Sequence, residues 1–453
     1  MPGGLPIKVK AGYGWAETGL YSIEMLVRLY LLKFYTDQVG LRPDLAGLAV
    51  GLAVVWDAVS DPLMGTISDR TKHSIGKRRI YILPGSVLAA FSLLTLFYSP
   101  ESASQAYIFL YLLFNYLLLN TAITIVAVPH AALGAELTED THERTVLFGF
   151  RLFLGNIGLL AGTLIPGIFL DQNPETAWGN TSLAIAILLI VSSLITYFTT
   201  SGYDHAAQPD KYQEKFSLMN HFRSLAEVLK NPFFRPLLAA FLIAYIGVSI
   251  NSTLALFYYD IRLNLNQNQI NMILGIFILV WSMSIAFWVL LSKKKGKKGP
   301  AFWGIFLLGV MTFIAYPLFP PGNPHWPLAA SIAGGILVGA IVLLDSLVAD
   351  IVDYDHLKSG QKREGLYFGF WKMSIKLSRA IAIALSGILL QWAGYNGTEL
   401  SREAQGERIA FLFGPVVGTF FAAGALIFLA MPLTAEKHAQ VQRILLKKKE
   451  KFS

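Results

Sequence analysis

Cysteine is absent from the 453 residues. That excludes disulfides, thiolate metal centres and cysteine nucleophiles. Charge is scarce as well: 15% of the residues are charged against 54% hydrophobic. A soluble protein of this length needs far more polar surface, so the composition points to a membrane protein. No cleavable signal pattern is read in Met1–Lys10, which holds Gly, Pro and Lys ahead of a stretch long enough to span. The chain also lacks a nucleophile–base arrangement, His-rich metal spacing and a phosphate loop. These absences argue against an enzyme and against a resident cofactor.

What is present is apolar sequence in long runs. Stretches of roughly 20 residues, enough to cross a bilayer, lie near 11–35, 45–68, 80–99, 106–134, 147–170, 180–200, 234–258, 270–292, 300–319, 327–351, 366–394 and 409–433. These are twelve expected transmembrane helices. Placing the N-terminus in the cytoplasm puts 27 of the 37 Lys and Arg residues on the inner side. Only Arg42, Arg262, Arg402 and Arg408 fall outside. The positive-inside rule then gives an N-in, C-in protein of the cell's inner (plasma) membrane. The same count explains the net charge of +8 without nucleic acid. The run Lys293-Lys294-Lys295-Gly296-Lys297-Lys298 is an ordinary inner loop on this reading.

The longest polar break divides the helices six and six. The expected organisation is an N-terminal half (1–201), a linker (202–233), a C-terminal half (234–433) and a basic tail (434–453). Residues 216–229 have helical apolar spacing and are expected to lie along the inner membrane surface. The tail from Thr434 to Lys451 reads as a second short amphipathic helix.

The most expensive feature is a carboxylate pair inside an apolar helix, Trp56-Asp57-Ala58-Val59-Ser60-Asp61-Pro62. Each carboxylate at a helix centre costs about 2.5–3.5 kcal/mol on insertion scales. Asp57 and Asp61 are one turn apart and share a face. Pro62 has no N–H, so the Ala58 carbonyl loses its helical partner. With Ser60 this makes a set of oxygen ligands suited to Na⁺ or to a shared proton. The bland alternative is a salt bridge to Lys or Arg on another helix.

Other charges lie within the spans. Glu17, Tyr21, Glu24 and Arg28 form one polar stripe on the first helix. Either Glu24 and Arg28 neutralise each other, or the stripe lines a cavity. Arg151, just inside the fifth helix, either snorkels to the surface or anchors an oxygen-rich substrate. His130 is read as more often packed than ligating. Asp345, Asp350 and Asp353 on the tenth helix, and Lys372, Lys376 and Arg379 on the eleventh, are candidate partners, functional or structural. A lysine that pairs with Asp57 or Asp61 when the cation is absent would couple ion binding to the field of the cavity.

Two six-helix halves with an inner linker resemble the plan of the major facilitator superfamily, which binds substrate near the midplane and rocks around it. Gly65-Thr66-Ile67-Ser68-Asp69-Arg70, followed by Gly76-Lys77-Arg78-Arg79, is similar to that superfamily's loop between helices 2 and 3. The resemblance implies gating roles for Asp69, Arg70 and Arg78, and for Arg363 in the other half. More narrowly, Tyr35-Thr36-Asp37-Gln38-Val39-Gly40-Leu41 with residues 56–65 resembles the glycoside–pentoside–hexuronide:cation symporter family. So does Ala349-Asp350-Ile351-Val352-Asp353-Tyr354, followed by Gly360, Arg363-Glu364-Gly365 and Lys376.

The resemblance implies an all-α membrane transporter of the major facilitator fold, not an enzyme. Its expected work is symport of a sugar, glycoside or sugar acid with Na⁺ or H⁺, with a lysophospholipid or other amphiphile as the alternative cargo. The implied cation site is Asp57, Ser60, Asp61 and Thr124, with Lys376 as basic partner and Asp57 and Asp61 as the metal ligands if the ion is Na⁺. Ser60 stands where the family usually has Asn. Galactoside-binding members place aspartates at the positions of Tyr21 and Ala127, and a tryptophan at Ala131. The substrate contacts would then come from Tyr21, Glu24, Arg28, Arg151, Trp371 and Lys372. The expected partners are that small molecule and the bilayer, with no nucleic acid and a monomeric state.

Overall fold

The computed structural model describes residues 5–98, 104–138, 140–172, 176–203, 228–359, 364–395 and 400–432, with 440 and 444 beyond. Among the described residues there are twelve helical runs and no strand. The first, α1 (Ile7–Leu26), continues through π-helical turns at Val27–Leu31 and Phe34–Gln38. There follow α2 (Pro43–Arg70), α3 (Ile82–Leu96), α4 (Gln105–Glu136), α5 (Thr141–Gln172) and α6 (Ala177–Thr199). The second set is α7 (Phe234–Arg262), α8 (Gln267–Lys295), α9 (Lys298–Leu318), α10 (His325–Lys358), α11 (Glu364–Trp392) and α12 (Arg402–Leu429). Each expected span coincides with one of these helices. The linker helix expected over 216–229, all but its last two residues, falls outside the described residues, as do Arg363 and most of the basic tail.

Local chemistry sets the helix ends. Pro43 opens α2 at the position where its missing N–H costs nothing. The Ser104 hydroxyl caps α4 by accepting from the Tyr107 N–H at 3.3 Å, and Ser401 caps α12 through the Ala404 N–H at 3.2 Å. Gly76, with φ +115°, makes the sharp turn after α2 that brings Arg78 back toward it. Pro62 and Pro129 lie inside α2 and α4 without ending either.

Eleven of the helices are long and apolar enough to cross a membrane by length and composition. The exception is α1, whose Glu17, Glu24 and Arg28 dilute its apolar content. Exposed apolar side chains mark the lipid-facing stripes. On α2 these are Leu48, Leu52, Val55, Trp56, Val59, Leu63 and Ile67. Asp57 and Ser60 lie on the buried side of the same helix.

The chain forms two compact units. The first comprises Met1–Glu214, Asn266–Gly275 and Ile383–Leu400, and the second Lys215–Leu265, Ile276–Ala382 and Ser401–Ser453. The units follow the six-and-six division except for the start of α8 and the end of α11. In the first unit α1 packs chiefly on α5 and α6, and α4 on α2 and α3. Tyr13, Ile82, Leu133, Leu137 and Leu147 form one of its cores. In the second unit α12 packs against α7 and α9.

Candidate functional site

The carboxylate pair of α2 meets α4. The Thr124 hydroxyl donates to Asp61 Oδ1 at 2.8 Å, and Ser60 Oγ lies 3.5 Å from Thr124 Oγ1. Asp57, Ser60 and Thr124 are all buried. Two further bonds lock the same face of α4 onto α2. The Asn120 side-chain N–H donates to the Ala53 carbonyl at 3.0 Å, and the Trp56 indole N–H donates to Thr121 Oγ1 at 3.0 Å. Asp61, Ser60 and Thr124, nominated together from sequence, are therefore brought together, with Asp57 one turn earlier on α2. Every donor atom in the set is oxygen, and the two carboxylates carry at most two negative charges. That suits a hard monovalent cation or a proton. Among the described residues no three His, Asp or Glu side chains group as a metal site. Lys376 belongs to the second unit, as do Trp371 and Lys372.

The polar stripe of α1 has a distinctive environment. From Ala16 to Tyr35 every residue is buried except Tyr21, Glu24, Arg28 and Lys33, and all four are half-buried. Lys33 is paired with Asp37 at 2.9 Å. A helix facing lipid would leave apolar residues exposed, as α2 does. Instead α1 keeps its apolar residues covered and leaves only these four side chains half-buried. Tyr21 lies across α5 at Gly155, where an added Cβ would meet the Tyr21 ring at 2.6 Å. Small residues open the α4 side: Ala127 and Ala131 are half-buried.

Glu17 is the buried end of the stripe, and its partners come from other helices. Arg151 of α5 donates to Glu17 through Nε and Nη2. His130 of α4 places Nδ1 3.3 Å from the same carboxylate oxygen. His130 also stacks on Tyr13 with ring centroids 4.4 Å apart, and its Nε2 reaches the Tyr13 carbonyl at 2.8 Å. Neither sequence reading of Arg151, snorkelling or substrate anchoring, foresaw Glu17 as its partner. The Arg28 Nε is buried and, among the described residues, makes no hydrogen bond.

At one end of the first unit, Arg78 gathers several partners. It donates to Ser68 Oγ at 2.6 Å, to Asp69, and to Glu136 Oε1 at 3.0 and 3.2 Å through Nη2 and Nε. Lys77 adds a second cation on Glu136 at 2.9 Å. Burial pulls the Arg78 guanidinium down, but Glu136 and Asp69 outweigh it and hold it above its ordinary value. Asp69 and Arg78 were legible as a motif. Glu136 was missed, although an acidic residue ending α4 opposite the basic stretch 70–79 offered a charge-complementarity signal. Arg70 is exposed.

In the second unit, the Trp371 indole N–H donates to Asp345 Oδ1 at 2.5 Å, and its ring packs 3.9 Å from that of Phe241. Trp371 is buried, while Lys372 is exposed and Lys376 half-buried. Asp350 pairs with Lys297 at 2.6 Å. Lys297 therefore belongs to a structural ion pair and is more than a member of an ordinary basic loop.

Comparison with known proteins agrees with this arrangement. The sequence pattern of the family described as MFS/sugar transport protein matches residues 12–435. The chain is 26% identical to the putative glycoside/cation symporter YagG of Escherichia coli K12, covering 98% of this chain and 95% of that one. It is 25% identical to the human sodium-dependent lysophosphatidylcholine symporter 1, covering 91% and 80%. A solved bacterial homologue of the human drug and peptide transporters PepT1 and PepT2 superposes with a TM-score of 0.66 over 94% of this chain and 96% of that one, at 15% identity. That likeness speaks to the fold alone. A chain with no strand among its described residues, matched along nearly its whole length, belongs to the MFS/sugar transport family, among the melibiose permease-like cation symporters.

Proposed function

We propose that Asp57, Ser60, Asp61 and Thr124 hold the coupling cation, Na⁺ or H⁺, of a sugar or glycoside symporter that works by alternating access. The observation that carries this is the Thr124–Asp61 hydrogen bond, with Ser60 and the buried Asp57 beside it. Two carboxylates within an apolar helix, one of them buried, are costly, and a cation site repays that cost. Lys376 is the basic partner that the cation displaces. Tyr21, Glu24, Arg28 and Arg151 contact substrate in the first unit, and Trp371 and Lys372 in the second. Asp69, Arg70, Arg78 and Arg363 serve the gate. The protein works as a monomer in the plasma membrane, with both termini in the cytoplasm.

The test is concentrative uptake in proteoliposomes after a thermal-shift screen has found a stabilising ligand. The panel is glycosides, xylosides, uronides and lysophosphatidylcholine, each with and without Na⁺. A ligand stabilises in proportion to its saturation. Asp57→Cys and Asp61→Asn are each expected to abolish cation-driven accumulation. Full accumulation in both variants defeats the assignment.

A second reading, transport of a lysolipid, is favoured by Tyr21, Ala127 and Ala131 standing where galactoside-binding members carry their sugar anchors, and by the similarity to a lysophosphatidylcholine symporter. Stabilisation by lysophosphatidylcholine and by none of the sugars selects it.

A further inference from the structure

The cluster where α1, α4 and α5 meet holds a group that the cation site does not use. Glu17 is 2% exposed and His130 is fully buried. His130 Nε2 lies 2.8 Å from the Tyr13 carbonyl oxygen. A carbonyl only accepts, so Nε2 carries the hydrogen. In a neutral imidazole Nδ1 is then the lone-pair nitrogen. Nδ1 makes no hydrogen bond, yet Glu17 Oε1 stands 3.3 Å from it. Two lone-pair atoms facing each other in a dry site repel. One proton placed between them turns the contact into a charge-assisted hydrogen bond.

The remaining groups fix the charge count. Arg151 of α5 already neutralises Glu17. Tyr13 and Tyr21 are the other titratable side chains of α1 that face the cluster. From α2, Asp61 is bonded at Thr124, six residues and about 9 Å along α4 from His130, with Asp57 one turn earlier on α2. The spans of α3 and α6 contain no charged residue. Unprotonated, the Glu17–Arg151–His130 group is neutral. Protonated, it carries one positive charge, and two cations share one carboxylate.

We propose that Glu17 and His130 form a proton-binding site, separate from the α2–α4 oxygen cluster, whose occupancy loosens the hold of Glu17 on Arg151. Arg151 keeps further N–H donors and its side chain is 22% exposed. Its release offers a guanidinium to an oxygen-rich or anionic substrate at acidic pH. Only that last step rests on the assignment of Arg151 to the substrate. The proton site stands on the geometry.

The experiment is ¹⁵N NMR of the full-length protein in lipid nanodiscs, with all histidines ring-labelled and the His130 signals assigned by their loss in His130→Gln. Between pH 9 and pH 5 the His130 ring is expected to pass from the Nε2–H tautomer to the doubly protonated form. In Glu17→Gln that transition is expected to leave the window. If Glu17→Gln does not fold, Glu17→Asp lengthens the 3.3 Å contact and is expected to move the midpoint by about one pH unit, tenfold in proton affinity. A single neutral tautomer at every pH overturns the proposal, and so does a titration unchanged by the Glu17 variants. Asp57→Asn is expected to leave the His130 titration intact, and its loss there overturns the separation of the two sites. Because no substrate enters this measurement, failure of cation-driven uptake in the earlier assay and failure here are independent results.

Discussion

Thr124→Val tests the proposed cation site at its best-defined contact. The Thr124 hydroxyl donates its one hydrogen to Asp61 at 2.8 Å. A hydroxyl also has two lone pairs, so the bond to Asp61 leaves oxygen available for a cation. Valine keeps the shape and removes both functions. A hydrogen bond to a charged group contributes about 1.5–3 kcal/mol, and the ion–oxygen contact is present only in the loaded state. The loaded state therefore loses more than the empty one. A difference of about 1.4–2.8 kcal/mol corresponds to about 10- to 100-fold weaker cation affinity.

The assay is the Na⁺ concentration giving half-maximal uptake in proteoliposomes. Where Na⁺ has no effect, the pH of half-maximal uptake replaces it, with an expected displacement of about one to two pH units. Thr124→Ser retains the hydroxyl and is expected to stay within about threefold of the parent, which is about 0.6 kcal/mol. A Thr124→Val value within twofold of the parent refutes the assignment of Thr124 as a ligand. A tighter value for Thr124→Val refutes it differently. It means that the hydroxyl competes with the cation for Asp61.

Two further expectations concern the first unit. Arg78→Ala removes a buried guanidinium from Ser68, Asp69 and Glu136. Its carboxylate partners reach water, so the expected loss of stability is about 1–3 kcal/mol, read as a lower thermal midpoint than the parent. Arg70→Ala, at an exposed position, is the control expected to show no loss. Glu143 is held below its ordinary carboxylate value by Lys10 and by the Leu5 N–H. A depressed acid stabilises above its unfolded pKa and loses that contribution as pH falls through its folded value. Glu143→Gln is therefore expected to lower the thermal midpoint at pH 7, and the gap is expected to close well below pH 4.5. A gap that persists at pH 3 removes the ion pair as its cause.

Much of this is legible in the amino-acid sequence. The helices follow from apolar runs, because lipid-facing positions such as Leu52, Val55 and Val59 must be apolar whatever the protein does. Asp57 and Asp61 were legible for the opposite reason: nothing about spanning a membrane calls for them. Ser60 was legible as a further oxygen ligand beside the pair, and Thr124 was reached through the family resemblance. Partners on distant helices were less accessible. Helical spacing places Glu17, Tyr21, Glu24 and Arg28 on one stripe, but it cannot say that Glu17 meets Arg151, 134 residues away. It left open whether Glu24 and Arg28 pair with each other or line a cavity. Lys297 looked like one lysine of a basic run, and its bond to Asp350 spans 53 residues.

The helix that departs most from the apolar pattern, α1, ties these observations together. Hydropathy reports what lipid requires of a surface, and α1 presents almost no surface to lipid. Buried between α5 and α6, it is free of the demand for apolar exterior residues and can carry Glu17, Glu24 and Arg28. A charge in such a helix must be met either by a neighbouring helix or by another polar group that reaches it. Glu17 takes the first course, through Arg151 and His130. The Arg28 Nε makes no hydrogen bond among the described residues, and Arg28 is half-buried like Tyr21 and Glu24. Along α1, then, the buried end at Glu17 is neutralised by other helices, and the half-buried stretch holds the residues proposed to contact substrate. The proton proposed for His130 acts at this neutralised end, where it loosens the hold of Glu17 on Arg151.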